Sequence, residues 1–140
     1  MMVKQIVFTK PGIAELLEKE IEAPKANEVQ VRLAVSTISS GTERANLIGD
    51  PNVGPNSAGA VVFPRVLGYS SSGVVEAVGE NVSDFKIGDR VAMSWTTHTQ
   101  VLNVNRDCVY KLPDNVSFND GALLHISIFP LAAIRKCRLE

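Results

Sequence analysis

Gly73-Val-Val-Glu-Ala-Val-Gly79-Glu-Asn-Val82-Ser-Asp-Phe85-Lys-Ile-Gly88-Asp89-Arg90-Val91 is the stretch on which the fold turns. Alternating valines bury one face of a strand over 73–79. Glu80-Asn81 then forms a turn, Val82 and Phe85 are apolar anchors, and Gly88-Asp89 turns the chain into a further strand over 90–95. Two glycines permit the tight turns that this succession needs.

Upstream, residues 28–38 alternate cleanly, with Val29, Val31, Leu33 and Val35 on one face and Gln30, Arg32 and Ala34 on the other. Residues 2–9 form a short β-rich run that Lys10-Pro11-Gly12 stops. Residues 13–22, IAELLEKEIE, fit a short helix or a two-faced strand equally well, and Pro24 ends them. Residues 39–62 are loop-like, rich in Ser, Gly, Asn and Pro, with a possible helical turn at 43–48; a loop this long is usually functional or mobile. Downstream, 98–104 and 108–112 read as short strands. Ser117 is placed to cap a helix that runs into Ala122-Leu123-Leu124, is interrupted by Pro130 and resumes over 131–138, where Arg135, Lys136 and Arg138 suit a helix C-terminus. Several short strands closed by a helix predict a mainly β domain, barrel-like or a sandwich.

Composition narrows the class. The chain has 140 residues, 45% hydrophobic and 21% charged, with a net charge of -1, which fits one globular domain and excludes a disordered tail. A pI near 6.1 without a basic block argues against nucleic-acid or anionic-membrane partners. Apolar runs fall short of the ~18 residues that span a bilayer. With no secretory h-region near the N-terminus, Cys108 and Cys137 read as reduced thiols in a cytoplasmic protein. Leu139-Glu140 reads as a cloning scar, leaving 1–138 as the domain. No G-x-G-x-x-G follows a strand. Gly54-Pro-Asn-Ser-Ala-Gly59 has phosphate-loop spacing without the Lys and Ser/Thr, and Ser83-Asp-Phe-Lys86 lacks the companions of S-x-x-K chemistry. Neither H-E-x-x-H nor C-x-x-C occurs.

The quoted stretch resembles the hallmark segment of the medium-chain dehydrogenase/reductase superfamily, the zinc-type alcohol dehydrogenases and their zinc-free relatives. Glu28-Val-Gln-Val-Arg, Ser40-Gly41-Thr42-Glu43, Pro64-Arg-Val-Leu-Gly68-Tyr69 and Lys111-Leu-Pro-Asp114 fall in register with it, so the resemblance covers 3–138. It implies a partly open GroES-like β-barrel with a few short helices and a C-terminal helix, and it favours strand for 13–22. It also implies that this is the N-terminal catalytic domain of a longer NAD(P)-dependent oxidoreductase whose Rossmann domain is absent here, so that the fragment alone is inactive. The implied substrate is a small alcohol, carbonyl or enone, and a homo-oligomer is expected, with apolar surface around 126–134.

Two departures bear on the chemistry. Zinc-dependent members carry Cys-Gly-x-Asp where this chain has Ser40-Gly41-Thr42-Glu43, and Gly-His-Glu where it has Gly68-Tyr69-Ser70. Hydroxyls are poor zinc ligands beside thiolate and imidazole. The third ligand position matches His125, and the four-cysteine structural lobe is missing after Trp95. The resemblance therefore points to a metal-free polar site of Ser40, Thr42, Glu43, Tyr69 and His125, with Gly41 and Thr42 meeting the nicotinamide ribose. Alternatives stay open: a zinc enzyme with unusual ligands, or a co-chaperone-like binding module that uses a mobile loop over 44–62. Each residue also has a structural reading. On that reading Ser40 and Thr42 bond the turn backbone, Glu43 caps a helical turn or pairs with Arg44 or another surface cation, and Tyr69 and His125 are packed side chains. His98 reads as a surface strand residue, and Trp95 as core or cleft wall.

Overall fold

The computed structural model describes residues 1–53 and 62–138. The Gly54–Gly59 spacing, part of the 44–62 loop and the scar at 139–140 lie outside the described residues.

The strands are β1 (Met2–Lys10), β2 (Ile13–Glu20), β3 (Glu28–Ser36), β4 (Ser70–Val78), β5 (Arg90–Ser94), β6 (Val101–Asn105) and β7 (Val109–Lys111). The helices are α1 (Ser40–Ile48), α2 (Phe118–Gly121) and α3 (Leu124–Cys137). β3 to β7 form one antiparallel sheet in the order β6-β3-β4-β5-β7, and β1 pairs with β2 in a separate hairpin. The hairpin closes on the sheet through a few backbone bonds. Ile6 N–H donates to the His98 carbonyl and Gln100 N–H to that of Lys4, each at 2.9 Å, and Phe8 and Arg65 exchange bonds at 2.8 Å. The result is a mainly β, partly open barrel, as the sequence predicts.

The alternating faces behave as read. Val29, Val31, Val75, Val91 and Met93 are essentially inaccessible and pack with Phe85 and Val104 in one core. β2 explains why residues 13–22 look ambiguous. None of its side chains is fully buried, with Leu16 and Leu17 both exposed, so neither face imposes a period; pairing with β1 over Met2–Glu20 makes it a strand. Two helix expectations differ. α1 begins at Ser40 rather than near Glu43, because the Glu43 carboxylate accepts the Ser39 N–H and Gly49 ends the helix at φ 74°. α3 runs through Pro130, forfeiting the single bond that this residue's nitrogen would have donated back one turn.

Ser117 caps α2 as predicted, its Oγ accepting the Asp120 N–H at 3.1 Å. Ser117→Ala is expected to lower stability by ~1 kcal/mol, read as a reduced urea midpoint with an unchanged slope. No described helix is long and apolar enough to cross a membrane.

Candidate active site

Gly68 precedes Tyr69 with φ 119°, and a Cβ there would stand 3.0 Å from the Thr97 backbone. Glycine is therefore required for the chain to turn against the 96–98 segment and present Tyr69. The Tyr69 carbonyl then accepts the Trp95 N–H at 2.8 Å, tying the two aromatics together. Trp95 has φ 58°, a left-handed conformation uncommon for a bulky residue, and its side chain is 73% exposed. It is a cleft wall rather than core.

The serines after Tyr69 hold the helical side of the site. Ser70, Ser71 and Ser72 are all buried. Ser70 Oγ and Thr37 Oγ1 both donate to the Ala122 carbonyl, and Ser72 Oγ donates to that of Phe118. The Phe118 carbonyl also accepts the Ala122 N–H at 2.9 Å, so the Ser72 bond adds to a helical one, whereas the Ala122 carbonyl, just past the end of α2, is met by the two hydroxyls. Ser70 Oγ also accepts the His125 N–H at 3.3 Å, which pins the start of α3 to β4.

His125 is thereby placed among aromatics. Its ring centroid lies 4.7 Å from that of Trp95, 5.8 Å from Tyr69 and 6.3 Å from Phe129. Its Nδ1 is buried without a hydrogen-bond partner. A buried imidazole nitrogen left unpaired costs free energy unless something polar meets it. Ser39, Thr42, Tyr69, Trp95, His125, Ile126 and Phe129 surround a cavity of about 560 Å³, a size that takes a small organic molecule.

Of the residues predicted from sequence, Thr42, Tyr69 and His125 share this cavity. Ser40 and Glu43 do not line it. They face a second cavity of about 340 Å³ with Arg44, Leu47, Phe8 and His98. The reason is the early start of α1: Ser40, Glu43, Arg44 and Leu47 follow helical spacing along one stripe, whereas Ser39 and Thr42 lie on another. Gly41 has open space around it, with nothing within 4 Å of where a Cβ would stand. His98 corrects the surface reading. It is 6% exposed, bonded through Nε2 to Glu43 Oε2 at 2.7 Å and through Nδ1 to Ser36 Oγ at 2.8 Å. The sequence reading also missed Ser70, Thr37 and Phe129; only the run of serines opening an otherwise apolar strand hinted at the first of them.

The donor set suits hydrogen bonding better than zinc. The cavity is lined by three hydroxyl residues, Ser39, Thr42 and Tyr69, and one imidazole, and Ser40 and Tyr69, the residues at the first two matched ligand positions, line different cavities. Among the described residues no three His, Cys, Asp or Glu side chains come together to hold a metal. Thr42 lines the cavity, and open space surrounds Gly41 beside it.

Comparison with known proteins adds three findings. The alcohol dehydrogenase GroES-like domain family matches residues 25–126. Quinone oxidoreductase from Sus scrofa is 32% identical over 126 residues, covering 87% of this chain and 36% of the relative, and (R,R)-butanediol dehydrogenase from Bacillus subtilis is 26% identical over 153 residues, covering 87% and 44%. The crystal structure of a putative NADPH:quinone reductase from Bacillus thuringiensis superimposes with a TM-score of 0.75 at 31% identity, covering 98% of this chain and 40% of that one. The chain spans less than half the length of each of these relatives.

Proposed function

From the premise that this chain belongs to the alcohol dehydrogenase GroES-like domain family, we propose that it is the substrate-binding domain of a zinc-independent, NAD(P)-dependent oxidoreductase acting on a small carbonyl or enone. The single observation that carries this reading is that His125, whose buried Nδ1 has no hydrogen-bond partner, lines the same cavity as Tyr69 and Thr42.

A nicotinamide cofactor, met on this chain by Gly41 and Thr42, supplies or takes the hydride. The chain's own residues handle the oxygen. The Tyr69 hydroxyl donates to the substrate oxygen and lowers the cost of charge building there. The His125 imidazole exchanges the proton that accompanies hydride transfer. Thr42 lines the same cavity with its hydroxyl-bearing side chain. Trp95 and Phe129 flank the His125 ring, which is itself only 9% exposed.

Further parts of the reading follow from the relatives' greater length. A cofactor domain elsewhere in the parent protein covers the apolar side chains of α3, where Ile128, Phe129, Leu131 and Ile134 are each at least 49% exposed. The parent is a homo-oligomer, and the free thiols of Cys108 and Cys137 suit the cytoplasm. The test is nicotinamide oxidation by the full-length protein against a panel of quinones, enones, simple ketones and alcohols. Turnover of at least one carbonyl class is expected; a panel without any hydride transfer contradicts the reading.

A further inference from the structure

Glu43 and His98 do not line the proposed site, yet both are buried and bonded to each other. We propose that the chain Glu43–His98–Ser36 is the positioning device for Thr42, with Glu43 fixing the tautomer of His98. The proposal rests on the reading that Thr42 serves the cavity chemistry.

The chain of bonds has a direction. An ionised carboxylate only accepts, so the 2.7 Å contact puts the proton on His98 Nε2. In the neutral ring Nδ1 is then an acceptor, and Ser36 Oγ donates to it at 2.8 Å. The other carboxylate oxygen, Glu43 Oε1, accepts the Ser39 N–H at 2.8 Å. Ser36 is the last residue of β3, an interior strand of the main sheet. The His98 backbone is itself fixed, its N–H donating to the Leu67 carbonyl at 3.1 Å and its carbonyl accepting from Ile6 at 2.9 Å.

The Glu43 end of this chain meets the first turn of α1. Ser39 immediately precedes α1, Glu43 lies in its first turn, and Thr42 is between them. Ser39 and Thr42 both line the large cavity. Burying a histidine and a carboxylate is a costly way to fill space, since an apolar pair of the same volume often stabilises as well or better. What the polar chain adds is orientation: it ties the cavity-bearing turn to a strand end and to the segment that closes on β1. Thr42 acts on bound molecules, whereas Glu43, His98 and Ser36 act through it.

Glu43→Gln tests this with little change of shape. The amide oxygen still accepts from Ser39, but the amide NH2 can only donate to His98, so the ring must move its proton to Nδ1 and donate to Ser36. The chain has two histidines, so long-range proton–nitrogen NMR spectra separate His98 from His125. Expected are the Nε2–H tautomer in the unaltered chain and the Nδ1–H tautomer in the variant. Amide exchange over 39–43 should quicken about tenfold. In the full-length enzyme turnover should fall about tenfold with KM for the carbonyl substrate little changed. Ser36→Ala, at a strand end, serves if Glu43→Gln does not fold, and should shift exchange and turnover the same way by about threefold. An Nδ1–H tautomer in the unaltered chain overturns the proposal, as do wild-type exchange and turnover in both variants. If Thr42→Ala abolishes turnover while these variants leave it intact, the positioning proposal fails and the functional reading stands. If no oxidoreductase activity exists but tautomer and exchange respond as stated, the functional reading fails and the hold on the α1 turn stands.

Discussion

Gly73→Ala is expected to destabilise the domain by about 3 kcal/mol or more, the largest single effect of any small substitution in the sheet. A Cβ at this position would stand 2.1 Å from the Arg32 carbonyl oxygen and 3.0 Å from the Leu33 Cα. Those atoms are backbone, so they cannot swing aside as a flexible side chain would. Gly73 pairs with Leu33 where the register of β3 against β4 shifts between Leu33 and Val35, and the two strands approach closely there. Relief requires separating the central pair of the sheet, on which Val31 and Val75 are wholly buried. Urea denaturation followed by circular dichroism measures the loss. Gly12→Ala is the reference: its φ of 78° makes alanine strained, but a Cβ there meets nothing within 4 Å, so about 1 kcal/mol is expected. Equal midpoints for the two variants would contradict the close-approach account.

His125→Gln is expected to have the largest effect on activity, lowering turnover by about 100-fold or more in the full-length enzyme, the scale of a lost proton-transfer group. Glutamine keeps a polar side chain at the head of α3 and leaves the Ser70 bond to its backbone intact, but it cannot exchange a proton near neutral pH. Tyr69→Phe removes one donor to the substrate oxygen while keeping the ring that meets His125 edge-on, and should cost about tenfold or more. Steady-state kinetics on both variants, with folding checked by circular dichroism, decide the matter. Wild-type turnover in Tyr69→Phe would remove Tyr69 from the mechanism, and wild-type turnover in His125→Gln would remove the proton-transfer role altogether.

Much of the fold is legible because burial writes itself into alternation. Val29 and Val31 announce β3, and the Gly73–Val91 stretch announces β4, its turns and β5. β2 is not legible, because its side chains are largely solvated on both faces and its identity comes from a neighbouring strand. α1 is hidden for a different reason. Ser40, Gly41 and Thr42 are indifferent helix formers, and the bond that starts the helix joins Glu43 to the backbone of Ser39, which composition does not reveal.

The candidate site is legible in part. Thr42, Tyr69 and His125 are found from their places in a family pattern and do converge on one cavity. Ser40 and Glu43 are separated from them because a loop reading ignores the 100° turn per residue of a helix. His98 is missed because its partners lie 55 and 62 residues away in sequence, a juxtaposition that only the closed barrel creates.

The central claim of the proposal is that the enzyme works without zinc, and it is tested most directly by measuring hydride transfer and metal content on the same full-length preparation before and after exhaustive chelation. The account predicts far less than one zinc per chain throughout and an unchanged rate of carbonyl reduction. About one zinc per chain, with activity that chelation removes and zinc alone restores, would contradict it.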